Sequence, residues 1–269
     1  MAISPGSVDG AVGAQTRSAL RAFQRKENLP VTGALDDATR MRLLLTAPAL
    51  TNYVVSTDDL DRLQPVNKSW LGKSQQTALE YESTLELVAE KACANPKLIR
   101  KLNPNIHWSK VAAGQSIVIP DIFVPPIETD AAFVVIRLGD RTLEAFDTSS
   151  NLLAHFPCSI AARAEKRPHG ELRVTAIAPN PNYTFTPEVF PQSAQAGQSA
   201  TKLMLPPGPN NPVGSAWIGL DLPGYGIHGT PAPEQVGRTE SRGCFRLANW
   251  NAEYLISLVR IGTPVLVEP

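Results

Sequence analysis

Apolar positions follow helical spacing in the early part of this chain and strand spacing in its later part. Two early segments repeat one another: VDGAVGAQTRSAL (8–20) and VTGALDDATRMRL (31–43) share Val, Gly, Ala, an apolar position, Thr-Arg and Leu in register. Each reads as a glycine turn leading into a helix, with Leu20 and Phe23 on one face of the first and Asp36 as N-cap of the second. Residues 51–78 hold no sustained period and read as a connector with one short helix at most. From 79 to 121 the pattern is strand, helix, helix, strand. Leu85, Val88, Ala89 and Ala92 line one helix, which takes in Cys93; Leu98, Ile99 and Leu102 line the next, after Asn95-Pro96. Gly114 then turns into SIVIP, which Pro120 stops.

From about 130 to 269 short strands dominate. FVVIRL and TLEAF flank Gly139-Asp140 as a hairpin, and LLAHFPCSI, ELRVTAI, AWIGL and TPVLVEP add further strands. One helix is expected over 251–262, with Leu255, Leu258 and Val259 on its buried face and Gly262 past its end. The pattern predicts a multi-domain chain: a helical unit (1–50), a connector (51–78), a βααβ unit (79–121) and a mainly β domain (130–269) of sandwich or closed-sheet type with one or two helices.

Composition adjusts this picture in two ways. Proline reaches 24 of 269 residues, which favours short elements and long loops. The 25 basic and 25 acidic residues balance, so the chain has no bulk charge for holding nucleic acid or an anionic membrane. No apolar run is long enough to span a bilayer. The opening MAISPGSVDG has neither the basic start nor the apolar stretch of a signal peptide.

The candidate chemistry lies in IHGTPAPEQVGRTESRGCFRLAN (227–249). Cys244 is bracketed by Arg242 and Arg246, Gly243 allows a backbone N–H to approach a substrate oxygen, and His228 is a candidate base. Flanking cations and an imidazole lower a thiol's pKa and raise its thiolate fraction. From residue types alone a second reading stands beside this one, a core thiol and a structural imidazole. Zinc would need a second ligand pair, and none has the spacing. Cys93 and Cys158 read as buried structural thiols, His107 and His155 as surface residues, and His169 as a loop residue that could line the cleft.

Taken whole, GPNNPVGSAWIGLDLPGYGIHGTPAPEQVGRTESRGCFRLANWNAEYLISLVRIGTPVLV (208–267) resembles the catalytic domain of the L,D-transpeptidases, the YkuD domain. The family's I-H-G-T appears at His228-Gly229-Thr230. Its Ser-His-Gly-Cys appears as Ser241-Arg242-Gly243-Cys244, with arginine at the second histidine position. Its N-P-L-G-x-x-W-I runs from Asn211 to Ile218. The resemblance implies that Cys244 attacks the L-centre of diaminopimelate at position three of a peptidoglycan tetrapeptide stem, with His228 as base and the Gly229 carbonyl orienting its ring. D-Ala would leave, and a second stem's amine would resolve the thioester into a 3→3 cross-link. Gly243 and Cys244 N–H groups would hold the oxyanion, with Arg242 as a fixed charge, Ser241 beside it and Arg246 on a substrate carboxylate or in an internal ion pair. No metal or organic cofactor is needed, and carbapenems are expected to acylate the same sulfur.

Residues 8–44 resemble the small helical peptidoglycan-binding domain, minus the helix that usually precedes its VDG turn. Residues 79–121, with LNPNI and AAGQSIVIP, resemble a LysM domain, with Glu82-Ser83 replacing the usual Gly-Asp. Peptidoglycan is thereby the implied partner, through both glycan strands and stem peptides, and the implied location is the periplasm or cell wall. An L,D-carboxypeptidase, or a wall-binding protein disabled at Arg242, are the alternative readings. Because every catalytic motif lies within 130–269, that segment is expected to fold and react alone.

Overall fold

The computed structural model describes residues 2–43, 48–187, 202–239, 241 and 243–269. In chain order its elements are β1 (Ala2–Ile3), α1 (Ala14–Lys26), α2 (Asp37–Leu43), β2 (Leu50–Val54), α3 (Thr57–Asp61), α4 (Trp70–Ser74), α5 (Thr84–Lys91), α6 (Pro96–Leu102) and β3 (Ser116–Pro120). The β-rich part follows with β4 (Phe133–Arg137), β5 (Thr142–Phe146), β6 (Leu152–Pro157), β7 (Gly170–Pro179), β8 (Tyr183–Phe185) and β9 (Leu203–Leu205). It closes with β10 (Ala216–Leu220), β11 (Gly226–His228), β12 (Phe245–Arg246), α7 (Asn249–Leu258) and β13 (Pro264–Glu268).

The domain core is one nine-stranded sheet, in the order β1-β6-β5-β4-β13-β7-β10-β11-β12. The ten-residue β7 joins its halves: Gly170–Arg173 pair with β13, and Val174–Pro179 pair with β10. The sheet curls, so Val134, Ile136 and Leu143 from one half share a core with Ile218, Ile227 and Phe245 from the other. Ala252, Leu255 and Leu258 of α7 fill that core at helical spacing. The sandwich-like interior is therefore a single sheet folded over itself.

The amino-terminal half departs further from the pattern-based expectation. The strand that pairs with β3 is β2, at 50–54, and not a segment near 79–82. Tyr81 makes only an isolated bridge to Leu63. The stretch read as a connector thus carries a strand and two helices. β2 escaped notice because four of its five residues are exposed and no alternation marks it. Cys93 lies past the end of α5 with φ 48, the left-handed position that closes a helix, rather than inside it. The two-helix unit is organised around a polar group: Gln24, fully buried, donates to Thr32 Oγ1, Ala34 O and Thr39 Oγ1 and accepts from Gly33 N–H. Asp36 does cap α2, accepting the Thr39 N–H at 2.9 Å.

These parts are not strung out as separate beads. β1 adds to the catalytic sheet in parallel with β6, and Arg25 of α1 forms an ion pair with buried Glu144 of β5. Gln15 Nε2 donates to Val236 O at 2.6 Å, and Arg238 pairs with Asp9 at 2.6 Å. His155, expected at the surface, is buried in the same region, 2.9 Å from Glu144. The acidic neighbour lies across the β5–β6 ladder and the covering α1 is distant in sequence, so neither was visible in HFPCSI.

Candidate active site

Register decides the site. β11 and β12 run parallel, with Ile227 opposite Phe245 and His228 opposite Arg246. Ile227 and Phe245 point into the core, each about 1% exposed. Alternation therefore turns Cys244, Arg246 and His228 to the other face. There a cleft of about 510 Å³ is lined by Cys244, His228, Gly243, Ser241 and Arg246, together with aromatic residues.

His228 is held on two sides. Its Nδ1 lies 2.6 Å from the Gly229 carbonyl, which only accepts, so Nδ1 carries the proton. Its ring stacks on Trp217, its partner across the β10–β11 ladder, at 5.7 Å between centroids. Burial drives its pKa down to about 4; the Gly229 bond opposes that shift, and the Arg246 charge adds to it. The imidazole is thus neutral near pH 7, with Nε2 as its acceptor.

Cys244 does not match the expected preformed thiolate. Burial raises its pKa, outweighing the Gly226 N–H aimed at the sulfur and the Arg246 charge. Its Sγ donates to Gly224 O at 3.4 Å, and among the described residues it makes no hydrogen bond to His228. The site at rest pairs a neutral thiol with a neutral imidazole.

The turn before Cys244 is closed by Ser241. Its hydroxyl donates to Cys244 O at 2.5 Å and accepts the Gly243 N–H at 3.2 Å, while its backbone bridges to Ile160 and Ala162. Gly243 N–H, expected to point at an oxyanion, is spent on this hydroxyl. Arg242 lies outside the described residues. His169 is exposed and does not line the cleft. Cys158 is fully buried and Cys93 is enclosed beside Glu90, and burial pushes both thiols up to about 12.

Two contributors were not singled out in the sequence. Asn249, 1% exposed, accepts from Thr230 N–H at 2.8 Å and Ser215 N–H at 3.3 Å, and donates to Glu90 Oε1 at 2.6 Å. It fixes the loop after His228, and a Cβ at Gly229 would sit 2.2 Å from its oxygen. An asparagine opening an apolar helix was the available signal. Trp70, from α4, also lines the cleft, with nothing local to mark it.

A model of the L,D-transpeptidase catalytic domain matches residues 131–267, just over half the chain, and one of the peptidoglycan binding domain matches residues 2–43. The YkuD protein of Bacillus licheniformis, named as an L,D-transpeptidase, is 29% identical over 186 residues, covering 69% of this chain and 94% of its own. The ErfK/SrfK protein of Escherichia coli, likewise named, is 28% identical over 210 residues, covering 76% of this chain and 66% of its own. An L,D-transpeptidase structure from Mycobacterium smegmatis aligns with a TM-score of 0.40 at 18% identity, over 59% of this chain and 75% of that one.

Proposed function

Because the chain belongs to the L,D-transpeptidase catalytic-domain family, an acyltransferase family, we propose that it joins peptidoglycan stem peptides through a thioester on Cys244. The observation that carries this reading is the β11–β12 register, which sets Cys244 and a neutral His228 on one face of one cleft.

In this reading Cys244 Sγ attacks the carbonyl at the L-centre of diaminopimelate in a tetrapeptide stem. The thiol rotates from Gly224 O toward His228 Nε2, which takes its proton as the C–S bond forms. Apo geometry of this looseness is ordinary before substrate binds. The C–N bond to D-Ala then breaks, and the imidazolium returns the proton to the leaving amine. The side-chain amine of a second stem next attacks the thioester. His228 accepts its proton, the C–S bond breaks, the imidazolium reprotonates the sulfur, and a 3→3 cross-link results.

The Cys244 N–H, with no partner among the described residues, is the nearest oxyanion donor. Gly243 N–H joins it once the Ser241 hydroxyl gives way, and one such donor is worth ~10²–10³ in rate. Arg246 suits a substrate carboxylate. The substrate places the protein in the periplasm or cell wall, and residues 2–43 and the β2–α5–α6–β3 unit serve as glycan contacts.

Incubation with a disaccharide-tetrapeptide, read by mass analysis of protein and products, tests the reading. An adduct short of D-Ala, absent in Cys244→Ala, with a cross-linked dimer as product, is expected. A carbapenem should give one adduct at the same residue. Hydrolysed tripeptide alone would mean a carboxypeptidase, and no adduct a disabled enzyme.

A further inference from the structure

Trp70 reaches the catalytic cleft from outside the catalytic segment. It opens α4 in the amino-terminal half, yet it lines the same cleft as Cys244, His228 and Trp217. Its ring stacks on Phe185 of β8, with centroids 4.5 Å apart and planes 15° apart, and lies 6.4 Å from Tyr183. Phe185 is fully buried with Leu79 and Leu205 in a small core of its own, so Trp70 is anchored from beneath.

A five-residue helix has little stability of its own. Here it is fastened at its start, where Ser69 Oγ accepts the Gly72 N–H at 2.9 Å. Asn67 packs so closely under Gly72 that a Cβ would fall 2.1 Å from its amide carbon. The Lys73 ammonium stands 5.7 Å from the Trp70 ring centroid and sets positive charge beside that surface. Among the described residues, Tyr183, Trp217 and Tyr225 supply further aromatic surfaces of the cleft, and Lys166 and Arg246 supply positive charge. Such a lining suits an extended peptide that carries carboxylates on an otherwise apolar body.

We propose that Trp70 is a specificity-determining residue of this cleft, an aromatic wall supplied by the amino-terminal half against which the donor stem peptide packs. The proposal rests on the stem-peptide reading above and deepens it: the substrate site is built jointly by both halves of the chain.

Two measurements on the full chain test this. A disaccharide-tetrapeptide is titrated into the Cys244→Ser chain carrying Trp70, Trp70→Ala or Trp70→Phe. Alkylation of Cys244 by iodoacetamide is timed in the same Trp70 series with the native thiol. In Trp70→Ala the half-saturating peptide concentration rises about 3- to 10-fold, the scale of one lost aromatic contact, and Trp70→Phe recovers part of it. Iodoacetamide, too small to reach the wall, reacts within about twofold of the native rate throughout. Unchanged peptide binding in Trp70→Ala overturns the proposal. So does an alkylation rate that moves as far as the binding does, since Trp70 would then only hold the shape of the cleft. If the native chain forms no thioester while peptide binding stays Trp70-dependent, the transpeptidase reading falls and the wall stands. If the chain with native Trp70 binds no peptide, both fall.

Discussion

Glu90 and Asn249 meet across the two halves of the chain, Oε1 to Nδ2 at 2.6 Å, and through Asn249 the α5 carboxyl is one side chain away from the loop that carries His228. Enclosure pushes Glu90 up to about 8, helped by the negative charges of Glu253 and Glu86 and opposed by the Asn249 donor. The folded chain therefore holds a proton there that the unfolded chain releases near the ordinary glutamate value.

Stability is accordingly expected to fall as pH rises from the ordinary glutamate range toward 8, by at most ~1.4 kcal/mol per pH unit, and to level off above it. Glu90→Gln removes that fall while keeping an acceptor for Asn249. Denaturant titrations at pH 6.5, 7.5 and 8.5 read the difference. A wild-type slope that persists in Glu90→Gln would assign it to another group.

His228 acts with the opposite sign. Its folded pKa of about 4 lies below the ordinary imidazole value, so the unfolded chain binds the extra proton and stability rises with pH between the two. In catalysis the base is already neutral across that window. Acylation should hold level from about pH 5 to 8 and drop as pH falls through about 4. His228→Ala should slow it by ~10²–10⁴. A rate that follows an acid limb near pH 6.5 would show that His228 is not as enclosed as its neighbours make it.

Among the three thiols, iodoacetamide should label Cys244 first in the native protein. Cys158 is fully buried, and it and Cys93 are both held near 12, so neither offers thiolate at neutral pH. Peptide mapping after brief labelling checks the order. Cys93 or Cys158 modified ahead of Cys244 would contradict the placement.

Gly226 leaves room for the Trp217 ring, which an added Cβ would meet at 2.6 Å. Gly226→Ala should cost ~1–3 kcal/mol and slow acylation as well, because the displaced Trp217 is the surface on which His228 rests. Thermal melts and acylation rates together separate the two effects. Native values for both would mean the ring moves aside freely.

The segment 122–269 expressed alone forfeits β1, the Arg25–Glu144 pair, the Glu90–Asn249 bond and the Trp70–Phe185 stack. It is expected to melt well below the full chain and to acylate more slowly with peptide. Equal melting temperatures would show that the motif-bearing segment suffices by itself.

What could be read in the sequence was local. FVVIRL, TLEAF and AWIGL became strands because short, mostly apolar runs ended at turns, and His228 and Cys244 declared themselves by their neighbours. What escaped was set by partners far along the chain. β2 shows no alternation because its cover is thin, His155 is buried by α1, and Trp70 gains its meaning only where Phe185 meets it. The direction of the Cys244 shift also escaped. Flanking arginines were visible as charges, but the burial that outweighs them is a property of the folded sheet.

The outermost strands of the large sheet, β1 and β12, are two residues long apiece. Ala2–Ile3 covers part of the longer β6, which would otherwise present its unpaired amides and carbonyls along one side. A long bare edge is a template on which another chain can pair and grow into fibres. At the opposite margin the two-residue β12 offers too few free groups for such pairing, so growth has little to build on there.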